Sequence, residues 1–311
     1  MIKKTAIVGM GALGLLYGNQ IQKTLGADAV SFIVDADRYD RYKERRFTIC
    51  GEEKKFNIEL SDNAAPADLL IVAVKYNALE SALETMKNVI GDNTIIMSVM
   101  NGITSEEIIG KRYGFKNIIY TVAQGMDAMR FGDSLNYTKM GELRIGVKKG
   151  DDKSNLNKVV ELFDYINMPY TVDEDIIYRM WGKFMLNVGI NQTCMMYETT
   201  YSGALTPGTE ANDTLIGAME EVIAIANAES VALTQADIDY YVAILKTLDP
   251  DGVPSMRQDG IAKRKTEVDM FAGTVIDIAK KHGIAVPVNE RIYKTVKKME
   301  ENWDSNNTII H

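Results

Sequence analysis

The first fourteen residues constrain this chain most. Lys4-Thr5-Ala6-Ile7-Val8 is a short run rich in strand formers, Gly9-Met10-Gly11-Ala12-Leu13-Gly14 follows at once, and Leu15 to Thr24 carries a helical pattern. A G-x-G-x-x-G turn between a strand and a helix is the dinucleotide-binding fingerprint. Gly9 permits the tight turn, Gly11 lets a pyrophosphate approach the backbone, and Gly14 lets the helix pack close to the sheet. The helix start adds N–H groups without partners and the positive end of a dipole. The bland alternative is a glycine-rich turn that holds nothing; the flanking strand and helix favour the nucleotide.

The N-terminal half goes on alternating. Residues 30–34, 68–74, 94–99 and 117–123 are apolar runs of strand length, with helical patterns at 78–89 and 105–113 between them. Continuous apolar strands separated by helices predict a doubly wound, mostly parallel sheet. Residues 47–60 alternate around Gly51 and suggest a hairpin insertion; 142–147 reads as a further strand and 155–165 as a helix. After Asp173 the strand rhythm stops. Residues 176–196, 212–231, 238–248, 258–282 and 289–302 all read as helices, the fourth closing on Gly283 as a C-cap. The expected fold is an α/β Rossmann domain over residues 1–173 and an all-α domain over 174–311, with the active site in the cleft they form.

Composition narrows the chemistry. A chain of 311 residues suits two domains, and 46% apolar with 25% charged residues is ordinary for a globular protein. The formal charge of -8 argues against nucleic acid as a partner. Two cysteines, Cys50 and Cys194, cannot build a disulfide framework or a four-ligand zinc site. Two histidines, His282 and His311, both lie close to the C-terminus, so no metal site and no Ser-His-Asp triad is expected. The acid of an enzyme built from this chain is then Lys, Tyr or a carboxylic acid. No apolar stretch approaches the ~18 residues of a bilayer span, and the apolar start is broken by glycines, so no membrane partner and a cytoplasmic location are expected.

Lys183, Asn187 and Asn191 recur at i, i+4 and i+8 within the stretch Arg179 to Asn191, where the residues around them are apolar. On a helix they share one stripe. A narrow Lys-Asn-Asn stripe fits a polar cleft, in which a desolvated lysine offers a cation and a transferable proton. It equally fits a lysine that reaches solvent while the asparagines bond neighbouring helices. Lys75 and Asn101 follow apolar strands, where ligands of open α/β sheets bind, although Asn101-Gly102 alone also describes a simple turn. Ser255 follows Pro254 as a helix N-cap or a carboxylate ligand, and Lys263 and Glu267 have the spacing of a surface ion pair on a helix.

Taken in order, Gly9 to Gly14, Val74-Lys75, Asn101-Gly102, Trp181-Gly182-Lys183 with Asn187 and Asn191, Pro254-Ser255-Met256-Arg257-Gln258-Asp259, Thr266-Glu267-Val268-Asp269 and His282 to Pro287 resemble the ketopantoate reductase family over nearly the whole chain. The resemblance implies NADPH-dependent reduction of 2-dehydropantoate to pantoate, with a helical domain like that of 6-phosphogluconate dehydrogenase. It implies Lys183 as proton donor and Glu267 beside it. Asn187, Asn191, Ser255 and Asn101 would hold the substrate. Gly9, Met10, Gly11, Ala12, Leu13, Gly14, Asp35, Lys75, Asn101, Gly125 and Glu267 would line the cofactor.

Two departures stand out. Asp35 occupies the end of the second strand, where the family's NADPH users commonly carry Arg; an acid there suits the ribose hydroxyl of NADH, with Arg38 or Arg41 as possible compensation. Tyr201-Ser202-Gly203 stands where the family often has Asn-Gly in a substrate-side loop. Both leave room for an NAD-dependent D-2-hydroxyacid dehydrogenase of the same superfamily acting on a branched or aromatic 2-keto acid. A non-catalytic nucleotide-binding protein is the remaining alternative. The apolar faces of the long helices allow a homodimer through the helical domain.

Overall fold

The computed structural model describes residues 1–307, so His311 lies outside the described residues. The chain divides into two compact units, Met1–Ile177 and a second that begins at Tyr178.

The first unit contains strands β1 (Thr5–Val8), β2 (Val30–Val34), β3 (Phe47–Ile49), β4 (Glu52–Lys54), β5 (Asn57–Leu60), β6 (Leu69–Val72), β7 (Ile95–Ser98), β8 (Ile118–Gln124), β9 (Met129–Phe131), β10 (Ser134–Asn136), β11 (Glu142–Gly146) and β12 (Tyr170–Val172). Its helices are α1 (Ala12–Leu25), α2 (Ala36–Tyr42), α3 (Leu79–Met86), α4 (Ser105–Tyr113) and α5 (Ser154–Tyr165). Eight strands form the main sheet in the order β12-β11-β8-β7-β6-β1-β2-β5. From β5 to β8 every pairing is parallel. β11 runs antiparallel to β8, and β12 parallel to β11. The chain winds outward from β1 to β5, then returns to β6 on the other flank. The β1/β6 junction is therefore the topological switch point of a Rossmann sheet. Every residue of β1, β6 and β7 is buried, as parallel strands covered on both faces require. Leu15, Leu16 and Ile21 of α1 share one core with Ile7, Phe32 and Ile71 of the sheet.

The 47–60 insertion is more than a hairpin. β3 and β4 pair antiparallel about Cys50 and Gly51, whose φ values of 48° and 87° suit a tight two-residue turn. β5 leaves this hairpin and joins the edge of the main sheet beside β2. The other side of β3 is taken by β10, which pairs with β9, giving a separate sheet ordered β4-β3-β10-β9. Strands of three residues show no sustained alternation, so neither β9 and β10 nor β12 stands out in the sequence.

Behind the carboxyl end of β7 lies a buried polar relay. Ser98 Oγ donates to Ser105 Oγ at 2.8 Å, and Ser105 Oγ donates to Glu106 Oε2 at 2.8 Å. Ser98 ends β7 and Ser105 opens α4, so the relay ties the base of the loop that carries Asn101. Glu106 is 2% exposed, and burial pushes its carboxyl up to about 7 against the pull of the Ser105 hydrogen bond.

In the second unit α6 (Ile176–Met196) is largely buried and begins two residues before the boundary. It is followed by α7 (Tyr201–Leu205), α8 (Glu210–Ala228), α9 (Gln235–Leu245), α10 (Ser255–Ile261), α11 (Thr274–His282) and α12 (Pro287–Asn307). Two glycines let neighbours close on α6. A Cβ on Gly182 would lie 2.5 Å from Tyr241 Oη of α9, and one on Gly189 would lie 2.6 Å from Met219 Cγ of α8. Thr234 and Asp237 form a reciprocal capping box that starts α9.

The single helix expected over 258–282 is broken. α10 stops at Ile261, Lys263 takes a left-handed φ of 51°, and a π-helical turn over Asp269–Gly273 leads into α11. Tertiary bonds hold the irregular path. Glu300 of α12 accepts the Thr266 N–H at 2.7 Å and the Thr266 hydroxyl at 2.6 Å, and Asp259 accepts from Arg264 Nε at 2.8 Å. Gly283, with φ 66°, ends α11 as a left-handed C-cap.

The raised Glu106 carboxyl links stability to pH. Its folded value of about 7 lies above the ordinary 4.5, so between these limits the folded state holds a proton that the unfolded state has lost. The resulting stabilisation is full at low pH and disappears as pH rises through about 7, on the order of 3 kcal/mol for this group. Glu106→Gln removes the proton exchange and keeps an acceptor for Ser105. Denaturant titrations at about pH 5 and about pH 8 are expected to show the variant gaining on the wild type at the higher pH; an equal difference at both would refute the assignment.

Candidate active site

Five expected cofactor or substrate residues of the first unit follow strand ends on one edge of the sheet. Gly9 follows β1, Asp35 follows β2, Lys75 and Asn101 lie three residues past β6 and β7, and Gly125 follows β8. These strands are parallel, so their carboxyl ends, and the residues after them, share that edge. Lys75 is exposed and Asn101 half-buried.

The glycines are not equivalent. Gly9 has φ 112°, and a Cβ there would meet the Ala73 carbonyl oxygen at 2.3 Å. A Cβ on Gly14 would lie 1.9 Å from the Gly9 carbonyl oxygen. Both positions are closed by the protein's own backbone. Gly11 is exposed, has an ordinary φ of -74°, and its Cβ would touch only the Ala73 oxygen at 3.8 Å. The fold does not need glycine there, whereas close approach of a ligand to the backbone does. Gly11 also precedes Ala12 and Leu13 at the N-terminus of α1, where backbone N–H groups lack helical acceptors. This cradle fits the pyrophosphate of a dinucleotide.

Asp35 serves the backbone as well. It is the N-cap of α2, accepting the Arg38 N–H at 2.8 Å, and its other oxygen pairs with the Arg38 guanidinium. Arg38 is thus engaged by the residue it was expected to offset.

In the second unit the Lys183, Asn187 and Asn191 stripe lies along α6 with about 6 Å of rise per step. Asn187 is 8% and Asn191 5% exposed, and no hydrogen bond to either amide side chain is seen among the described residues. Lys183 is half-buried, and desolvation brings its ammonium down to about 8 although the nearby Glu267 charge favours protonation. Glu267 reaches this neighbourhood through packing. Phe184 lies next to Lys183, and its ring sits 6.4 Å from that of Phe271 in the π-helical turn just after Glu267. The Ala272 N–H donates to buried Gln192 Oε1 at 2.8 Å, and Gln192 Nε2 donates to Asn289 Oδ1 at 3.1 Å. The turn is thereby fastened to the helix that carries the lysine.

Ser255 is exposed at the first position of α10; Pro254, not Ser255, is the N-cap, and no side-chain cap bond forms. α10 packs on the far end of α6, where a Cβ on Gly260 would lie 2.3 Å from Met195 Sδ. Lys263 and Glu267 do not form the expected helical pair, because the helix ends before Lys263 and Lys263 is exposed with a left-handed backbone. Glu267 acts instead on Lys183. One residue absent from the sequence reading enters the glycine loop: Arg130 of β9 donates to the Met10 carbonyl oxygen. Only the pairing of β9 with β10 brings it there, and no local pattern signals that.

The glycines predict two separable failures. Gly14→Ala is expected to lower thermal stability, because the added carbon meets backbone that cannot yield. Gly11→Ala is expected to keep the wild-type melting temperature and lose dinucleotide binding. Thermal melts with and without NADH read both, and a Gly11→Ala protein that binds NADH as the wild type does would refute the cradle.

Comparison with known proteins agrees with this fold. A family model described as "Ketopantoate reductase PanE/ApbA" matches residues 5–150, and its C-terminal counterpart matches 175–300. The chain is 26% identical to 2-dehydropantoate 2-reductase of Streptococcus pyogenes over 299 residues, covering 94% of this chain and 97% of the relative. It is 25% identical to the enzyme of that name from Aquifex aeolicus over 312 residues, covering 96% and 98%. Among solved structures, dimeric ketopantoate reductase from Staphylococcus aureus aligns with a TM-score of 0.81 at 19% identity, covering 96% of this chain and 99% of that one. D-Mandelate dehydrogenase with NADH aligns at 0.85 and 24% identity, with the same coverage. The Rossmann sheet followed by a helical region is the architecture of these neighbours. The chain belongs to the ketopantoate reductase family, oxidoreductases that act on a CH–OH group with a nicotinamide dinucleotide.

Proposed function

We propose that this protein reduces the C2 keto group of 2-dehydropantoate to give pantoate. The observation that carries the reading is Lys183, half-buried on α6 with its ammonium brought down to about 8 and two buried amides, Asn187 and Asn191, further along the same stripe. The bound nicotinamide supplies the hydride. Negative charge then builds on the keto oxygen, and the Lys183 ammonium stabilises it and delivers the proton. Glu267 holds a counter-charge that keeps the proton on Lys183 in its desolvated setting. Asn187 and Asn191 offer donors and acceptors to the substrate hydroxyl, with Ser255 for its carboxylate.

The first unit would hold the cofactor with Gly9 to Gly14, Lys75, Asn101 and Gly125, and Asp35 would take the adenosine ribose. A carboxylate accepts from a ribose hydroxyl and repels a 2′-phosphate; the Arg38 guanidinium paired with Asp35 reduces that repulsion but leaves the carboxylate as the group at the strand end. NADH is therefore the proposed reductant, in contrast to the NADPH of the family pattern. A reduced nicotinamide co-substrate is in keeping with a cytoplasmic location.

Tyr201 favours a second reading. It opens α7, its N–H donates to the Gly252 carbonyl at 3.0 Å, and a Cβ on Gly252 would lie 3.2 Å from its ring. An aromatic ring thus borders the loop that leads to Ser255. That placement suits a D-2-hydroxyacid dehydrogenase for a branched or aromatic 2-keto acid, and the NADH-bound D-mandelate dehydrogenase neighbour points the same way. The second unit exposes Tyr240 and Ile244 on α9, and also Leu248 and Ile261, apolar side chains that a homodimer would cover. Sedimentation at micromolar concentration is expected to give a dimer; a monomer there would refute it.

Initial rates with ketopantoate and an aryl 2-keto acid, each with NADH and NADPH, decide among these readings. Turnover of ketopantoate with NADH above NADPH is expected; turnover confined to the aryl acid would transfer the assignment to the second reading. Lys183→Ala is expected to lower kcat by about 10²–10⁴-fold. Keto reduction needs the charged lysine, so its rate is expected to fall as pH rises through about 8, while alcohol oxidation rises over the same range. An unchanged pH profile in Lys183→Ala would remove the lysine from the mechanism.

A further inference from the structure

We infer that Arg130 is a cofactor-positioning residue, a cation on the accessory sheet that orients the glycine loop and lowers the electrostatic cost of bringing a pyrophosphate to it. The inference rests on the dinucleotide reading of the first unit and is independent of which keto acid is reduced.

Arg130 lies at the centre of β9, 120 positions from Met10, opposite the fully buried Leu135 of β10. Its side chain is 21% exposed. Two of its guanidinium nitrogens are hydrogen-bonded to backbone carbonyls. One terminal nitrogen donates to the Met10 carbonyl oxygen. Nε donates to the Gly132 carbonyl at 2.8 Å, and the guanidinium carbon stands 5.6 Å from the centroid of the buried Phe47 ring. Nη2 is 4.0 Å from Asp133 Oδ1, and Arg45 Nε stands 2.7 Å from the same oxygen as an ion-pair contact. Two guanidinium groups share one carboxylate, so the cluster carries a net positive charge.

That charge sits on a functional peptide unit. The Met10 carbonyl and the Gly11 N–H belong to one planar trans peptide and point in opposite directions. Fixing the carbonyl fixes the N–H of the one loop glycine whose Cβ position is open. A guanidinium bonded to the carbonyl end of that peptide polarises it and places positive charge behind the N–H that faces an approaching anion. Arg45, paired with the same Asp133 carboxylate, adds a second cation to the cluster and leaves it net positive.

The test compares Arg130→Met, which keeps length and loses charge, with Arg130→Lys, which keeps charge and loses the fork. Dissociation constants for NADH and for ADP, which carries the pyrophosphate alone, are measured without keto acid, alongside those for adenosine and the melting temperature. Arg130→Met is expected to weaken NADH and ADP alike by about tenfold or more, as the loss of a charged hydrogen bond implies, and to leave adenosine binding unchanged. Arg130→Lys is expected to recover part of the loss, and the salt dependence of NADH binding to become shallower in Arg130→Met. At saturating NADH, kcat is expected to stay within about twofold of wild type, since the residue acts on binding. Wild-type affinities in Arg130→Met, with or without a lower melting temperature, would overturn the proposal and leave Arg130 a packing contact. Equal weakening of adenosine would overturn it as well. A wild-type protein that binds neither NADH nor NADPH would overturn the cofactor reading itself.

Discussion

The architecture of the first unit depends on a backbone-to-backbone approach that allows no side chain. At the junction of β1 and β6 the turn after Val8 passes so close to Ala73 that a methyl group on Gly9 would overlap the Ala73 carbonyl. One helical turn later, a methyl group on Gly14 would overlap Gly9. With both positions bare, α1 seats on the sheet at contact distance and directs its first N–H groups over the sheet edge. The same edge receives the loops after β2, β6, β7 and β8, because those strands run parallel to β1. The steric demand at two glycines and the clustering of Asp35, Lys75, Asn101 and Gly125 are thus one fact seen at two scales.

In the second unit α6 plays the corresponding part. It is wrapped closely enough that Gly182 and Gly189 are contact points for α9 and α8, and its Gln192 is wholly buried yet bonded at both ends. A side-chain amide that satisfies the π-helical turn from one end and Asn289 from the other makes the position of that turn a property of α6. Lys183 and the neighbourhood of Glu267 are therefore held by one rigid assembly, the setting in which a partly desolvated amine keeps a defined proton affinity.

Much of this was legible in the chain, for physical reasons that particular residues show. The fully buried strands announce themselves as apolar runs because both faces are covered, and Asp35, Lys75 and Asn101 could be placed by counting from those runs. The Lys183, Asn187 and Asn191 stripe was visible because helical spacing is local. What was hidden depends on contacts distant in sequence. The break at Lys263 is enforced by Glu300 reaching Thr266 from 34 residues away. The helix opens at Ser255 as the sequence suggests, but the cap position falls to Pro254 and not to Ser255. β9 and β10 were invisible because three residues carry no period, and Arg130 went with them.

Asp35 joins two selective pressures in one carboxylate. It starts α2 by bonding the Arg38 N–H, and under the proposed function it would also meet the coenzyme's ribose. Drift in coenzyme preference is then not free to sample the genetic neighbourhood of this codon. A basic side chain at this position would welcome a phosphate and leave the seven-residue helix without its opening bond. Short oxygen-bearing side chains would keep the bond and surrender the negative charge. The evolutionary route between the two coenzymes is thereby narrowed to residues such as Ser, Thr or Asn at Asp35, with any arginine recruited from a neighbouring position and not at the strand end itself.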